Sequence, residues 1–110
     1  GGIQVTIADN AFAEITPPKV GAGYIAITEG PDEAFPNNFA RGFVYCDWGD
    51  SSMVNNIDLG DAFETNNQLA APNGTTGSDG HATLFSGGTS GKLYLENRLG
   101  QAGIFALTFT

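Results

Sequence analysis

Short stretches of the chain alternate apolar and polar residues with a period of two. In the first stretch, Ile3, Val5 and Ile7 alternate with small or polar residues. Because successive side chains of a β-strand point to opposite faces, this pattern predicts a half-buried strand over residues 3–8. Residues 12–16 are expected to continue this strand, and similar patterns predict further strands at 24–28, 43–48, 53–54, 57–59 and 81–85. Residues 62–69 are predicted to form a loop or a single short turn, because Thr65-Asn66-Asn67 disfavours a helix.

The strongest strand signals lie at the C-terminal end. Two apolar runs, 92–96 and 104–110, each place large aliphatic or aromatic side chains at every second position. The segment between them, 97–103, contains two glycines, which supply the backbone freedom that a chain reversal requires. The pattern predicts a terminal β-hairpin around which the rest of the chain is organised.

Taken together, the segments amount to about seven or eight short strands separated by loops. This spacing predicts an all-β fold: an antiparallel β-sandwich or barrel, jelly-roll-like, with long Gly/Asn/Thr-rich loops. A chain of 110 residues is a single-domain length, so residues 1–110 are predicted to form one β domain. The longest exposed loop is predicted at 70–80. The predicted core consists of Ile25, Ile27, Val44, Leu93, Leu95, Phe105 and Leu107.

Charge narrows the classes of partner. With 12 acidic and 4 basic residues the net charge is −8, which opposes attraction to nucleic-acid phosphates and to anionic lipid. We therefore expect neither nucleic acid nor membrane as a partner, and no apolar run approaches the roughly 18 residues of a transmembrane helix. Cys46 is the only cysteine, so no intramolecular disulfide can form, and its apolar surroundings predict a buried, unreactive thiol.

One short motif raises the question of catalysis. The sequence Trp48-Gly49-Asp50-Ser51 follows a predicted strand and resembles the nucleophile block of the GDS-type esterases. A serine nucleophile needs an imidazole base that is oriented by a carboxylate, and His81 is the only histidine in the chain. The esterases of this type are longer α/β proteins, whereas this chain is predicted to be all-β. We therefore predict that the protein is not an enzyme and that the motif is a polar turn.

Four carboxylates lie within fifteen residues: Asp47, Asp50, Asp58 and Asp61. Calcium takes oxygen ligands from loops of this kind, but the spacing matches no EF-hand. Turn-forming aspartates beside glycine explain the cluster, and a structural calcium ion remains the alternative interpretation. No cofactor or metal ion is predicted.

Aromatic side chains offer a different kind of site. β-Sandwich modules bind sugars with exposed rings, and the rings available here are those of Tyr24, Tyr45, Trp48 and Tyr94. Each lies in a predicted strand, where burial in the core competes with exposure. A carbohydrate-binding module is therefore the alternative functional prediction.

The compact, acidic and Gly/Asn/Thr-rich chain ends in YLENRLG at 94–100 and FALTF at 105–109. In size, composition and terminal strands it resembles small virion proteins of tailed bacteriophages, above all the capsid decoration, or cement, proteins. That resemblance implies a non-enzymatic structural protein on the capsid exterior that ties neighbouring coat subunits together. It also implies the major capsid protein as partner and a homo-oligomer, with a trimer favoured.

The N-terminal strand is the predicted interface. Residues 3–8 carry no charge, and an uncharged sheet edge attracts other strands unless it is covered. We therefore predict that 1–8 forms a strand or arm in which Ile3, Val5 and Ile7 contribute to a subunit or capsid interface.

Overall fold

The computed structural model describes residues 1–19, 21–30, 40–49, 53–88 and 91–110. These residues form nine strands in two sheets, and no helix occurs among them. The strands are β1 Gly2–Ile7, β2 Ala11–Ile15, β3 Ala22–Glu29, β4 Arg41–Asp47, β5 Met53–Leu59, β6 Phe63–Asn66, β7 Ala82–Ser86, β8 Leu93–Asn97 and β9 Gly103–Phe109. The predicted all-β class is confirmed, with two separate sheets.

The sheets differ in size and pairing. The five-stranded sheet has the order β1-β9-β3-β4-β5, and every neighbouring pair in it is antiparallel. The four-stranded sheet has the order β2-β8-β7-β6, with β6 and β7 parallel. In the five-stranded sheet β1 and β5 are therefore the outermost strands.

One apolar cluster lies between the sheets, as the alternation predicted. All seven predicted core residues are at most 1% exposed: Ile25, Ile27, Val44, Leu93, Leu95, Phe105 and Leu107. Trp48 joins them, with its ring edge-on to Phe109 at a centroid distance of 5.8 Å. Its indole N–H donates to the Lys19 carbonyl at 2.8 Å, which satisfies the one polar group that the buried ring carries.

The predicted terminal hairpin is wrong. Both of its strands exist, but β8 lies in the four-stranded sheet and β9 lies in the five-stranded sheet. The connection crosses the sandwich because Leu99 enters the core at 7% exposure, and Asn97 secures the crossing from its fully buried position. The Asn97 side-chain amide donates to the carbonyls of Ile7 and Gln101 at 2.9 and 2.8 Å, and its oxygen accepts from the Leu99 N–H at 2.9 Å.

The predicted loop at 62–69 is also wrong, because it contains β6. Phe63 is 4% exposed and its ring lies over Gly42 of β4, where a Cβ would come within 2.6 Å of a ring carbon. This contact packs β6 against β4 of the other sheet, although Thr65 and Asn66 give the segment no apolar alternation. The separate extended pieces predicted at 53–54 and 57–59 are one strand, β5, with an irregularity in its pairing opposite Phe43/Val44.

Candidate functional site

Three aromatic rings lie together on the outer side of the five-stranded sheet. Tyr24, Phe43 and Tyr45 point away from the core and are 45%, 39% and 38% exposed. The rings of Tyr24 and Phe43 are stacked at a centroid distance of 5.6 Å, and Tyr24 meets Tyr45 edge-on at 5.3 Å. Such pairs stabilise one another, so the rings form a joint surface. We call the outer side of this sheet the aromatic face.

Strand pairing explains why the rings meet. Tyr24 lies directly opposite Tyr45, and Ala26 lies opposite Phe43 on one side and Thr108 on the other. Side chains opposite each other on one face of an antiparallel pair are near neighbours. The small Ala26 therefore lies at the centre of the aromatic face.

The aromatic face carries little charge. The outward positions of β1, β9 and β3 bear none, and they are Gln4, Thr6, Ile104, Ala106, Thr108, Tyr24, Ala26 and Thr28. Arg41, Asp47 and Asp58 supply charge on the β4–β5 side, where Arg41 and Asp58 line a depression of about 160 Å³ together with Phe43 and Thr28. For a chain of net charge −8, the aromatic face is thus close to neutral.

The outer side of the four-stranded sheet is covered instead. Thr83 and Phe85 of β7 and Glu96 of β8 point outward there, yet all three are 0% exposed. Phe85 is buried without belonging to the central apolar cluster, as expected of a residue on the far side of the sheet. The segment 67–80 packs over this side.

Glu96 fixes that segment. Its carboxylate oxygens accept hydrogen bonds from the backbone N–H groups of Gly74, Thr76 and Gly77 at 2.9, 3.1 and 2.6 Å. Arg98 adds a bond to the Gly77 carbonyl at 2.8 Å. Charge-assisted hydrogen bonds of this kind are stronger than neutral ones. The segment predicted as one exposed loop is therefore partly buried, at Pro72, Gly74 and Gly77.

The predicted interface residues lie on the inner side of β1. Ile7 is 3% exposed and belongs to the core, and the partly buried Ile3 and Val5 pack against it. Gly1 and Phe109 exchange both backbone hydrogen bonds, so by antiparallel alternation Ile3, Val5 and Ile7 bond to β9. A role of these three residues in an interface stays a prediction.

The same alternation defines the open edge of β1. The backbone N–H and C=O groups of Gln4 and Thr6 point away from β9. Within the described part of the chain, no strand pairs with β1 on that side. The edge that the uncharged sequence predicted to attract a partner is therefore this backbone edge.

The candidates for catalysis are only partly described. Asp50 and Ser51 of the GDS-like motif lie outside the described residues. The Nδ1 atom of His81 lies 3.3 Å from the Asp79 carbonyl oxygen. Cys46 is buried, and desolvation, followed by the nearby Asp47 carboxylate, raises the pKa of its thiol to about 12, as predicted for an unreactive side chain.

The candidates for metal binding include Asp47, Asp58 and Asp61, whereas Asp50 again lies outside the described ranges. Over those ranges, no group of three or more acidic, histidine or cysteine side chains is close enough to hold an ion. A calcium ion bound by all four carboxylates stays the alternative interpretation.

The four rings proposed for sugar binding differ in their exposure to solvent. Trp48 is 1% exposed, and Tyr94 is half-buried with its ring edge-on to Phe12 at 5.9 Å. Tyr24 and Tyr45 are exposed side by side on the aromatic face. Phe43 completes the group and was missed; the signal for it was the run 43–46, in which apolar side chains occupy both faces of one strand.

Comparisons with known proteins identify no family for this chain. No protein-family model matches the chain, and no curated protein matches it. The tailspike protein of the Acinetobacter phage vB_ApiP_P1 is similar, with 15% sequence identity and a TM-score of 0.48 over 99% of this chain and 19% of that chain. The chain thus spans about a fifth of that protein's length, and no residue role is carried over from it. In the described part of the chain, no helix is long and apolar enough to cross a membrane.

Proposed function

We propose that the protein is a non-enzymatic structural protein of a bacteriophage virion. In this role it binds the major capsid protein on the capsid exterior and stabilises contacts between coat subunits. The observation that carries the proposal is the open edge of β1, whose outward backbone N–H and C=O groups pair with no strand in the described part of the chain. The resemblance of the composition and terminal strands to cement proteins supplies the virion context.

The open edge of β1 is the proposed contact with the coat protein. A strand edge with unpaired N–H and C=O groups can add a strand from a partner, with backbone hydrogen bonds as the source of affinity. Gln4 and Thr6 present those groups, while Ile3, Val5 and Ile7 hold β1 in place from the inside. The predicted contribution of 1–8 to a capsid interface is proposed in this form.

The test is co-sedimentation of the chain with undecorated shells of the phage that encodes it. Wild-type protein is expected to bind at a fixed ratio to coat subunits. Gln4→Pro removes an outward N–H without removing a bond to β9, so it should weaken binding at least tenfold. Gln4→Ala is the matched control, since it changes the side chain and keeps the N–H.

Two results would count against this assignment. Failure of the wild-type chain to bind shells would refute the virion role. Equal binding by Gln4→Pro and Gln4→Ala would exclude the β1 edge as the contact.

A second function, carbohydrate binding, is favoured by the pair of exposed tyrosines. Sugars stack on exposed aromatic faces, and the depression beside Phe43 places Arg41 and Asp58 within reach of hydroxyl groups. A glycan array tests this alternative. Specific binding that is lost in Tyr45→Ala and retained in Tyr94→Ala would establish it, and an array without signal would remove it.

A further inference from the structure

We propose that the aromatic face binds a second copy of this chain, so that the protein is a homo-oligomer joined through the outer sides of its five-stranded sheets. The inference goes beyond the proposed function, which assigns the β1 edge to the coat protein and gives the aromatic face no partner. It differs from the N-terminal interface that the sequence predicted, because the contact is a sheet face and not a strand edge.

The first argument is the composition of the face. The centres of protein interfaces are enriched in tyrosine and phenylalanine and depleted in charged residues. Tyr24, Phe43 and Tyr45 form such a centre, and the exposed Ile104 extends the apolar surface on β9. The hydroxyl groups of the two tyrosines and of Thr108 add hydrogen-bonding capacity without charge.

The second argument is electrostatic and selects the same chain as partner. Two copies that each carry a net charge of −8 repel one another over most of their surfaces. On the aromatic face this repulsion is small, since its outward positions on β1, β9 and β3 are uncharged. Its charged side chains are those of Arg41, Asp47 and Asp58, and in a symmetric contact Arg41 of one copy can face Asp58 of the other.

The third argument is area. Five strands spaced about 4.8 Å apart, with about 7 residues each at about 3.3 Å per residue, form a face of about 24 by 23 Å. Two such faces in contact bury about 1,100 Å² even before side-chain relief is counted, which reaches the lower limit for a specific interface, about 1,000 Å². The sheet therefore has room for a stable contact between copies.

The test measures mass in solution by sedimentation over a wide range of concentrations. The wild-type chain is expected above its monomer mass of 11.4 kDa, at twice that value, because a symmetric contact that uses the same face of both copies closes as a dimer. Ala26→Glu places a charge at the centre of the aromatic face without removing a core contact, and it should raise the dissociation constant at least a hundredfold.

Two further variants control for net charge and for the substitution itself. Ala26→Lys changes the net charge from −8 to −7, whereas Ala26→Glu changes it to −9, so dissociation of both variants identifies the face and not overall repulsion. Ala71→Glu makes the same substitution at an exposed position in the segment over the other sheet. It should leave the oligomer intact, and thermal unfolding checks that all three variants are folded.

Several results overturn the inference. A monomeric wild-type chain does so. If the monomer binds glycans and Ala26→Glu abolishes that binding, the ligand of the aromatic face is a saccharide. An oligomer that Gln4→Pro disperses and the Ala26 variants do not is joined through the β1 edge. A monomer that binds shells refutes the inference but supports the virion role. An oligomer that does not bind shells supports the inference but refutes the virion role.

Discussion

The outer sides of the two sheets are treated in opposite ways. On the four-stranded sheet, Glu96 holds the segment 67–80 over the surface, and Phe85 is 0% exposed beneath it. On the five-stranded sheet, Phe43 is 39% exposed and its neighbours are two half-exposed tyrosines. The described part of the chain thus covers one outer side with its own residues and leaves aromatic rings exposed on the other.

Burial along single strands shows the same contrast. Every residue of β7 is buried, because the core covers one side of the strand and 67–80 covers the other. In β3, buried and exposed residues alternate from Gly23 to Glu29. An outward-pointing side chain is therefore not necessarily exposed to water. On the four-stranded sheet, a single covering segment buries such side chains.

The largest effect is the expected difference in stability between truncating a covered ring and truncating an exposed ring. Phe85→Ala should lower the free energy of unfolding by about 3–5 kcal/mol, because it leaves a cavity under the covering segment. Phe43→Ala should lower it by less than about 1 kcal/mol at dilutions where the chain is monomeric, because the ring is largely exposed. Denaturant titration measures both.

Concentration sharpens this comparison. If copies associate through the aromatic face, the cost of Phe43→Ala should rise with protein concentration, because binding stabilises the folded state by mass action. The loss in the free energy of unfolding caused by Phe85→Ala should not rise with protein concentration, because Phe85 is buried within one chain. Equal costs for the two truncations at high dilution would show that the outer sides are equally covered.

The next effect concerns the carboxylate that holds the cover in place. Glu96→Ala leaves three backbone N–H groups without their acceptor and should cost roughly 3–5 kcal/mol. Glu14→Ala on the same outer side is the matched control. Its partner is Lys92 at 3.3 Å and both side chains are 45% exposed, so its loss should cost under about 1 kcal/mol.

Hydrogen exchange locates the consequence. In Glu96→Ala, the amides of Gly74 and Gly77 should exchange faster, while those of β3 should keep their protection. Unchanged exchange at Gly74 and Gly77 would mean that Glu96 does not secure the cover.

The smallest change near neutral pH concerns Cys46 on the inner side of the five-stranded sheet, because its contribution to stability varies only above about pH 9. Burial raises the pKa of the Cys46 thiol to about 12 from an ordinary value of 9.0. The folded state therefore favours the neutral thiol, and the resulting stability is fully present below pH 9 and is lost as the pH rises from 9 towards 12. Wild-type stability should fall more steeply in this window than that of Cys46→Ala.

Thiol reactivity gives a second measurement of the same burial. A thiol reagent at pH 8 should modify Cys46 only at the rate of unfolding, whereas it should modify a Tyr45→Cys variant, whose new thiol lies on the aromatic face, at once. Fast modification of native Cys46 would contradict the burial of this strand's inner side.

The sequence by itself determined the local structure and the inner side of each strand. Period-two alternation placed β1, β3, β4, β8 and β9 to within a few residues and identified the core, because a residue's side of a strand follows from its position alone. The same reasoning named Tyr24 and Tyr45 as exposed-ring candidates, but it equally named Trp48, which is buried. Alternation separates inside from outside and does not say which outward residues are later covered.

Only the tertiary structure decided which strands pair and which outer side stays open. The closeness of β8 and β9 along the chain predicted a hairpin, yet the two strands lie in different sheets. Backbone hydrogen-bonding groups are the same in every strand, so they do not by themselves specify which strands pair. Glu96 sits in a strand like any outward carboxylate, and its burial depends on N–H groups about twenty residues away. The aromatic face exists for the same reason: Tyr24 and Tyr45 belong to different strands, and long-range pairing brings their rings together while no described segment crosses over them.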